Sequence, residues 1–349
     1  MNLYAHFPFC RRKCAYCALY SRVGVSQSDR DAYVVSLAEE IARDGARAAY
    51  STIYFGGGSP ALCDLRPLFS ALQNAARPES APYPGVGIAL RPIRSDYEFT
   101  VELHPLDVSE ERLEMLKAGG VNRISMGVQS FDDKTLSAMG RGYTIDEALR
   151  AFELVKRCFD NAGIDLIVGF PGDPCRFDFR RFSDLGLRHC SVYSLQNERG
   201  LENVPDDDVL LDGIKRCAHE LADLGLQRYE ISNYAVPGYE CRHNLAVWRG
   251  EDYLGLGEGA CGRSGLTRTR GLRGGGYSTE TVTEAEDLKE RTMFRLRTRE
   301  GIDTTRFPEW RPILVRFVSE GLLERPEGPV YRLTPRGSEV CDSILAEIV

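Results

Sequence analysis

The chain lacks a long hydrophobic run, a basic field and a second cysteine pair, and each absence narrows its reading. No apolar stretch in its 349 residues approaches the roughly 20 that a membrane-spanning helix needs. Its first residues do not show the basic-then-apolar pattern of a secretory signal, so a cytoplasmic protein is expected. The net charge of −7 argues against nucleic acid as the main partner. The eleven cysteines, an odd number spread along the chain, are expected to be reduced. No second C-x2-C stands downstream to complete the two-pair pattern of most structural zinc sites.

What is present is an ordinary globular composition, 43% hydrophobic and 27% charged, in a chain long enough for one large domain and a smaller one. Its most informative stretch is Tyr4 to Cys17. Cys10, Cys14 and Cys17 stand at spacing C-x3-C-x2-C, on a loop leaving a short strand at 2–6. Three thiolates on one tight loop can hold three corners of an iron–sulfur cluster, which cysteines usually ligate four at a time. One iron would then be open to a distant side chain or a small molecule. Arg11, Arg12 and Lys13 favour the thiolate forms. A zinc site, or three unconnected core cysteines, are the alternatives this stretch leaves open.

Downstream, short apolar strands alternate with amphipathic helices. Strands are expected at 52–55, 98–103, 123–127, 164–168 and 189–195, and helices at 29–47, after the Ser109 N-cap, after the Thr144/Glu147 capping box and at 206–224. The 144 helix is expected to bury Leu149, Phe152 and Val155. Such alternation argues for parallel βαβ units, six strands in all, arranged as an open barrel or a doubly wound sheet. In both, ligands bind at the strand C-terminal ends. The cysteine loop, Gly56-Gly-Gly-Ser-Pro60, Glu102, Gln129 and Gly169-Phe-Pro-Gly172 all fall at or near such ends. Residues 77–96 read as a surface loop and 228–235 as extended. The arginine- and glycine-rich stretch 263–276 reads as a solvated loop. A charged helix at 284–300, a hairpin at 322–333 and a last helix from Pro335, with Val340, Ile344 and Ile348 on one face, suggest a winged-helix-like module.

Taken together, these motifs resemble the radical S-adenosylmethionine (SAM) superfamily, and within it the oxygen-independent coproporphyrinogen III oxidase-like family. The markers are Tyr4-x-His6-x-Pro8-Phe9-Cys10 with its cysteine loop, Gly56-Gly-Gly-Ser-Pro60, Glu102-x-His104-Pro105, Gly127-Val-Gln129-Ser-Phe131 and Ile164-Asp-Leu-Ile-Val-Gly-Phe-Pro-Gly172. The resemblance covers almost the whole chain. It implies an α/β fold, a partial (β/α)6 TIM-like barrel at 1–225, a haem-contact extension at 226–283 and a small helical, winged-helix-like domain at 284–349. It implies that Cys10, Cys14 and Cys17 ligate a [4Fe–4S] cluster whose fourth iron is chelated by SAM. Tyr4, Gly57, Gly58, Ser59, Glu102, Gln129, Arg141 and Asp165 would contact SAM, with Arg141 on its carboxylate. One electron from the cluster would cleave SAM to methionine and a 5′-deoxyadenosyl radical.

Within that family, three features favour the haem-chaperone subgroup over the oxidase. The oxidase pattern carries another cysteine two residues after the third ligand, where Leu19 stands here. It also has an N-terminal extension, whereas nine residues precede Cys10 here. The subgroup's His-Asn-x-x-Tyr-Trp motif reads His243-Asn-Leu-Ala-Val-Trp248, with Val247 in place of tyrosine. These residues alone read as a packed Trp beside a hydrogen-bonded His; the resemblance implies that His243 ligates haem. Cys261 stands where related chains often have histidine, so it either ligates iron as a thiolate or marks a lost haem contact, and Cys241 is a further candidate. The expected partners are haem, an acceptor haem protein and a flavodoxin- or ferredoxin-like electron donor. The alternatives are a coproporphyrinogen III dehydrogenase and a non-catalytic cluster or zinc protein.

Overall fold

The computed structural model describes residues 1–45, 50–75, 96–326 and 328–348. The surface loop expected at 77–96 therefore lies, except for its last residue, outside the described residues.

The first half of the chain lays down β1 (Asn2–Phe7), β2 (Thr52–Gly57), β3 (Glu98–Leu103), β4 (Arg123–Gln129), β5 (Asn161–Val168) and β6 (His189–Ser194). Each pairs in parallel with the next, so spatial order follows chain order. A doubly wound sheet would reverse direction at a switch point. This sheet advances without reversal, which is the order of a barrel that stops short of closure. The helices between the strands are α1 (Gln27–Gly45), α2 (Arg66–Ala75), α3 (Glu110–Ala118), α4 (Asp133–Met139), α5 (Ile145–Cys158), α6 (Arg180–Ser183) and, after β6, α7 (Asp207–Asp223). Ser109 caps α3, and Thr144 with Glu147 forms the capping box of α5, two sequence signals that hold. On α5 the buried residues are Ile145, Ala148, Ala151, Phe152 and Val155, while Leu149 is only half-buried.

The strands alternate in an informative way. Leu3, Ala5 and Phe7, then Ile53, Phe55, Phe99, Val101, Ile124, Met126, Ile164 and Leu166, face the helices and join the main core. The other face carries Tyr4, His6, Tyr54, Thr100, Glu102, Arg123, Ser125, Asp165, His189 and Ser191, matched across the sheet by register. Parallel strands buried on both faces normally read as continuous apolar runs. Here the inner face is polar, so the barrel interior is built to hold a ligand.

The sheet continues at both edges. β7 (Gln227–Arg228) and β8 (Asn233–Ala235) add beyond β6. After α8 (Arg242–Trp248), β9 (Tyr253–Leu256) pairs in parallel with β1. β10 (Cys261–Ser264), β11 (Thr267–Gly271) and β12 (Tyr277–Thr281) then form an antiparallel meander. The solvated loop expected at 263–276 is thus corrected to strands and turns. Gly265 and Gly274–Gly276 hold positive φ at the turns, which glycine adopts without strain. Two of its arginines are taken from solvent: Arg263 is buried against Asp287, and Arg268 lies 2.6 Å from Asp287 and 2.5 Å from Glu290, while Arg270 and Arg273 stay exposed.

Those acidic partners belong to α9 (Glu284–Leu296), which starts in a Thr283/Glu286 capping box. β13 (Ile302–Asp303), α10 (Arg311–Ser319), β14 (Leu323–Glu324), β15 (Val330–Leu333), α11 (Pro335–Glu339) and α12 (Cys341–Ile348) complete the chain. They share a second core that includes Leu296, Phe307, Trp310, Leu314, Phe317, Tyr331, Ile344 and Ile348. The single last helix expected from Pro335 is two helices, broken at Val340 (φ −122°), whose side chain is exposed. Among the described residues no helix is long and apolar enough to cross a membrane.

Candidate cluster and cofactor site

The cysteine loop leaves the C-terminal end of β1. Its start and end are tied together where the Cys10 N–H donates to Arg22 O at 2.9 Å. Its middle is pinned where the Ala15 N–H donates to Met139 O at the end of α4. Cys10, Cys14 and Cys17 are free thiols, each partly exposed. Burial pushes the Cys10 thiol above its usual range. Among the described residues no three His, Cys, Asp or Glu side chains converge on one point as a single metal ion requires. A cubane distributes its cysteines over separate irons and does not need that convergence.

The surroundings of the thiols fit such a group. A Cβ on Gly58 would stand 3.0 Å from Cys10 Sγ and 2.5 Å from Phe9 O, so only glycine lets β2's loop approach the cysteine loop. Gly57 has φ +108°, and a Cβ there would meet the His6 ring at 2.4 Å. Arg141 places Nη1 3.5 Å from Cys14 Sγ, setting a buried guanidinium beside the thiols. Arg141 also donates to Gly127 O and to the Tyr143 hydroxyl.

The remaining expected residues gather on the inner face and its C-terminal rim. Glu102 accepts from the Tyr54 hydroxyl at 2.8 Å and from the Gly57 N–H at 3.0 Å, so it braces the glycine turn from below. Burial and then the neighbouring Asp165 carboxylate push Glu102 up to about 7. Asp165 accepts from the Ser125 hydroxyl, and burial raises it too. Gln129 ends β4 with φ +75°, a left-handed conformation away from the sheet geometry of the residues before it. Tyr4 donates its hydroxyl to His6 Nδ1 at 2.9 Å. His6 Nε2–H is committed to Tyr20 O, which can only accept. Ser59 does not reach into the interior; its hydroxyl donates to Asp107 at 2.7 Å.

His243 sits apart from this rim. It lies on α8, beside Thr52 at the first residue of β2, so it closes the N-terminal floor of the barrel. Glu98 caps α8 by accepting from the Arg242 and His243 N–H groups. Thr52 donates to Asn2 Oδ1, so His243 Nδ1–H donates to Thr52. Nε2 keeps the lone pair a metal would use, but the ring is 4% exposed and enclosed by Tyr4, Tyr54 and Tyr253. Burial and the Arg123 charge push the imidazole down to about 3, so it stays neutral. Cys241 is also buried, whereas Cys261 on β10 is exposed.

Sequence reasoning assigned no role to three groups. Asp107 is buried and joins Ser59 to Arg11 of the cysteine loop. His104 is pushed down to about 3 by burial and by Arg141, and packs edge-on against Tyr143. Glu258 reaches the end of the cysteine loop from the β9–β10 turn. His104 lies in the marker segment Glu102-x-His104-Pro105 and Asp107 two residues beyond it, a local signal that was available. Glu258 had none.

A family model of the radical SAM superfamily matches residues 4–174. The solved structure of coproporphyrinogen III oxidase (HemN) from Escherichia coli, described as a radical SAM enzyme, superposes with a TM-score of 0.81. That match covers 99% of this chain and 89% of the other at 20% identity, a likeness of fold. Fold and site together define a radical SAM α/β protein. Among curated sequences, the heme chaperone HemW of Bacillus subtilis is 30% identical over 99% of this chain and its own full length. That of Escherichia coli is 32% identical over 99% of this chain and 97% of its own. The chain belongs to the HemW family.

Proposed function

We propose that this protein binds haem and hands it to an acceptor haem protein in the cytoplasm, using a SAM-bound [4Fe–4S] cluster to control its state. The end-to-end similarity to heme chaperones carries this reading. A further support is Leu19, 56% exposed on the cysteine loop where the oxidase pattern has a cysteine.

In this reading Cys10, Cys14 and Cys17 hold the cluster. When bound, the cluster and SAM supply one-electron reductive cleavage of a sulfonium bond. A flavodoxin- or ferredoxin-like protein is the electron donor. Gly57 and Gly58 let the backbone approach the ligand's amino end, and Arg141 neutralises its carboxylate. Glu102 and Asp165 put acceptor oxygens on the inner face, where they would address the ligand's ribose and neighbouring polar groups. Tyr4 and Gln129 complete the wall. For the cargo, exposed Cys261 is the candidate that haem reaches without refolding. His243 ligates haem only if α8 leaves the barrel floor.

The test is an anaerobic haem titration of the reconstituted protein followed by Soret absorption. One-to-one binding is expected, and its absence overturns the chaperone reading. The second reading, a coproporphyrinogen III dehydrogenase, is favoured by the complete polar interior. Anaerobic conversion of coproporphyrinogen III to protoporphyrinogen by the same samples would establish it.

A further inference from the structure

We infer that Glu258 is a positioning residue that couples the order of the cysteine loop to the β9–β12 meander. The inference rests on the cluster reading above and adds a route by which the cluster's presence is felt elsewhere.

The geometry begins with the carboxylate, which is 8% exposed and has both oxygens engaged. Oε2 accepts from the Tyr20 hydroxyl at 2.9 Å and lies 3.4 Å from Arg22 Nη1. Both donors stand just past Cys17, on the exit of the cysteine loop. Oε1 accepts from the Gly274 N–H at 2.9 Å, in the β11–β12 turn. One side chain therefore bridges two loops that share no strand pairing.

The backbone around it leaves little slack. Gly259 holds φ +82°, and a Cβ there would stand 2.8 Å from the Tyr20 ring. Gly257 holds φ +91°, and a Cβ there would stand 2.2 Å from the Tyr33 hydroxyl. That hydroxyl accepts from the Glu258 N–H and donates to His6 O. The Gly271 N–H donates to Ala260 O at 2.8 Å, so the turn is fixed to β11 as well. A shift of Tyr20 has to be absorbed by the meander or by breaking the Glu258 contacts.

On its other side Tyr20 faces the cofactor wall. Its carbonyl accepts from His6 Nε2–H, and His6 Nδ1 accepts from Tyr4. The His6 ring also fills the space above Gly57. A continuous set of contacts thus runs from the Gly57 turn through His6, Tyr20 and Glu258 to Gly274. Exposed Cys261 follows Glu258 by three residues, so the coupled element includes the thiol facing solvent. Coupling needs an element with two arrangements that both sites bias. The cysteine loop, with and without its cluster, is that element.

The test is amide hydrogen exchange, by mass spectrometry, on the full chain with and without anaerobic cluster reconstitution, over peptides spanning 257–276. Iron and sulfide content establish loading independently. Loading is expected to slow exchange of the wild-type 257–276 segment about tenfold, the worth of roughly one hydrogen bond to a charged group. Glu258→Ala should load the cluster yet lose this response, and its reduced cluster should show shifted EPR g-values. Glu258→Gln, which keeps the size and one acceptor, should retain part of the response and serves if the alanine variant fails to fold. Equal exchange in loaded and apo wild type, or a full response in the folded variants, overturns the coupling. Wild type that takes up no iron or sulfide overturns the cluster reading, and this inference with it.

Discussion

Replacing Glu102 by glutamine should make the apo protein's stability less dependent on pH, in a direction opposite to that of most carboxylates. In the folded chain Glu102 is buried and faces Asp165, and these raise it from near 4.5 to about 7. A carboxyl raised on folding binds more protons in the folded state than in the unfolded one. Its presence therefore costs nothing below pH 4.5, and the cost grows as pH rises toward 7 and then levels off. At 1.36 kcal/mol per pH unit the full effect is about 3 kcal/mol, most of which falls between pH 5 and pH 8. Glutamine cannot ionise and removes this slope. It also turns one N–H group toward either the Gly57 N–H or the Tyr54 hydroxyl, a pH-independent loss of about 1–3 kcal/mol. Urea unfolding of wild type and Glu102→Gln apo protein at both pH values separates the two terms. Glu102→Gln should be the less stable at pH 5 and should gain about 2–3 kcal/mol on wild type by pH 8. A difference that does not change with pH would refute the assignment of a raised carboxyl to this position.

Four other outcomes follow from the geometry. Gly57→Ala should lose about 2–5 kcal/mol from positive-φ strain and overlap with His6, whereas Gly172→Ala, with φ +80° and open space, should lose about 1 kcal/mol; thermal melting compares them. Asp107→Asn should weaken SAM binding and lower stability by about 1.5–3 kcal/mol, because Arg11 and Ser59 lose a charged acceptor; calorimetric titration and urea melts read each part. His243→Ala should cost about 2–4 kcal/mol of stability by removing a packed ring from the barrel floor, with haem affinity unchanged in the folded fraction; a Soret titration that loses haem without a fall in melting temperature would reverse the assignment. Cys261→Ser should instead weaken haem binding at unchanged stability, since its side chain is exposed.

The sequence by itself determined the elements whose signals are local. The C-x3-C-x2-C loop, the six apolar strands, the Ser109 cap and the Thr144/Glu147 box depend on residues a few positions apart, and the fold retains them. It also placed Tyr4, the glycine turn, Glu102, Gln129 and Asp165 on strands or strand ends, which suffices to bring them to one inner face once those strands are parallel. What only the tertiary structure decided rests on partners far apart in the chain. Open barrel and doubly wound sheet share the same βαβ pattern, and only spatial strand order separates them. Arg263 and Arg268 look solvated until α9 supplies Asp287 and Glu290. The resemblance makes His243 a haem ligand until Thr52, 191 positions earlier, takes its Nδ1–H and the inner tyrosines close over it. Glu258 looks like a polar residue in a glycine turn until Tyr20, 238 positions earlier, finds it. In each case a side chain's charge or hydrogen-bonding capacity is visible in the sequence. Its partner is set by how the sheet carries distant loops together, and that partner fixes what the side chain does.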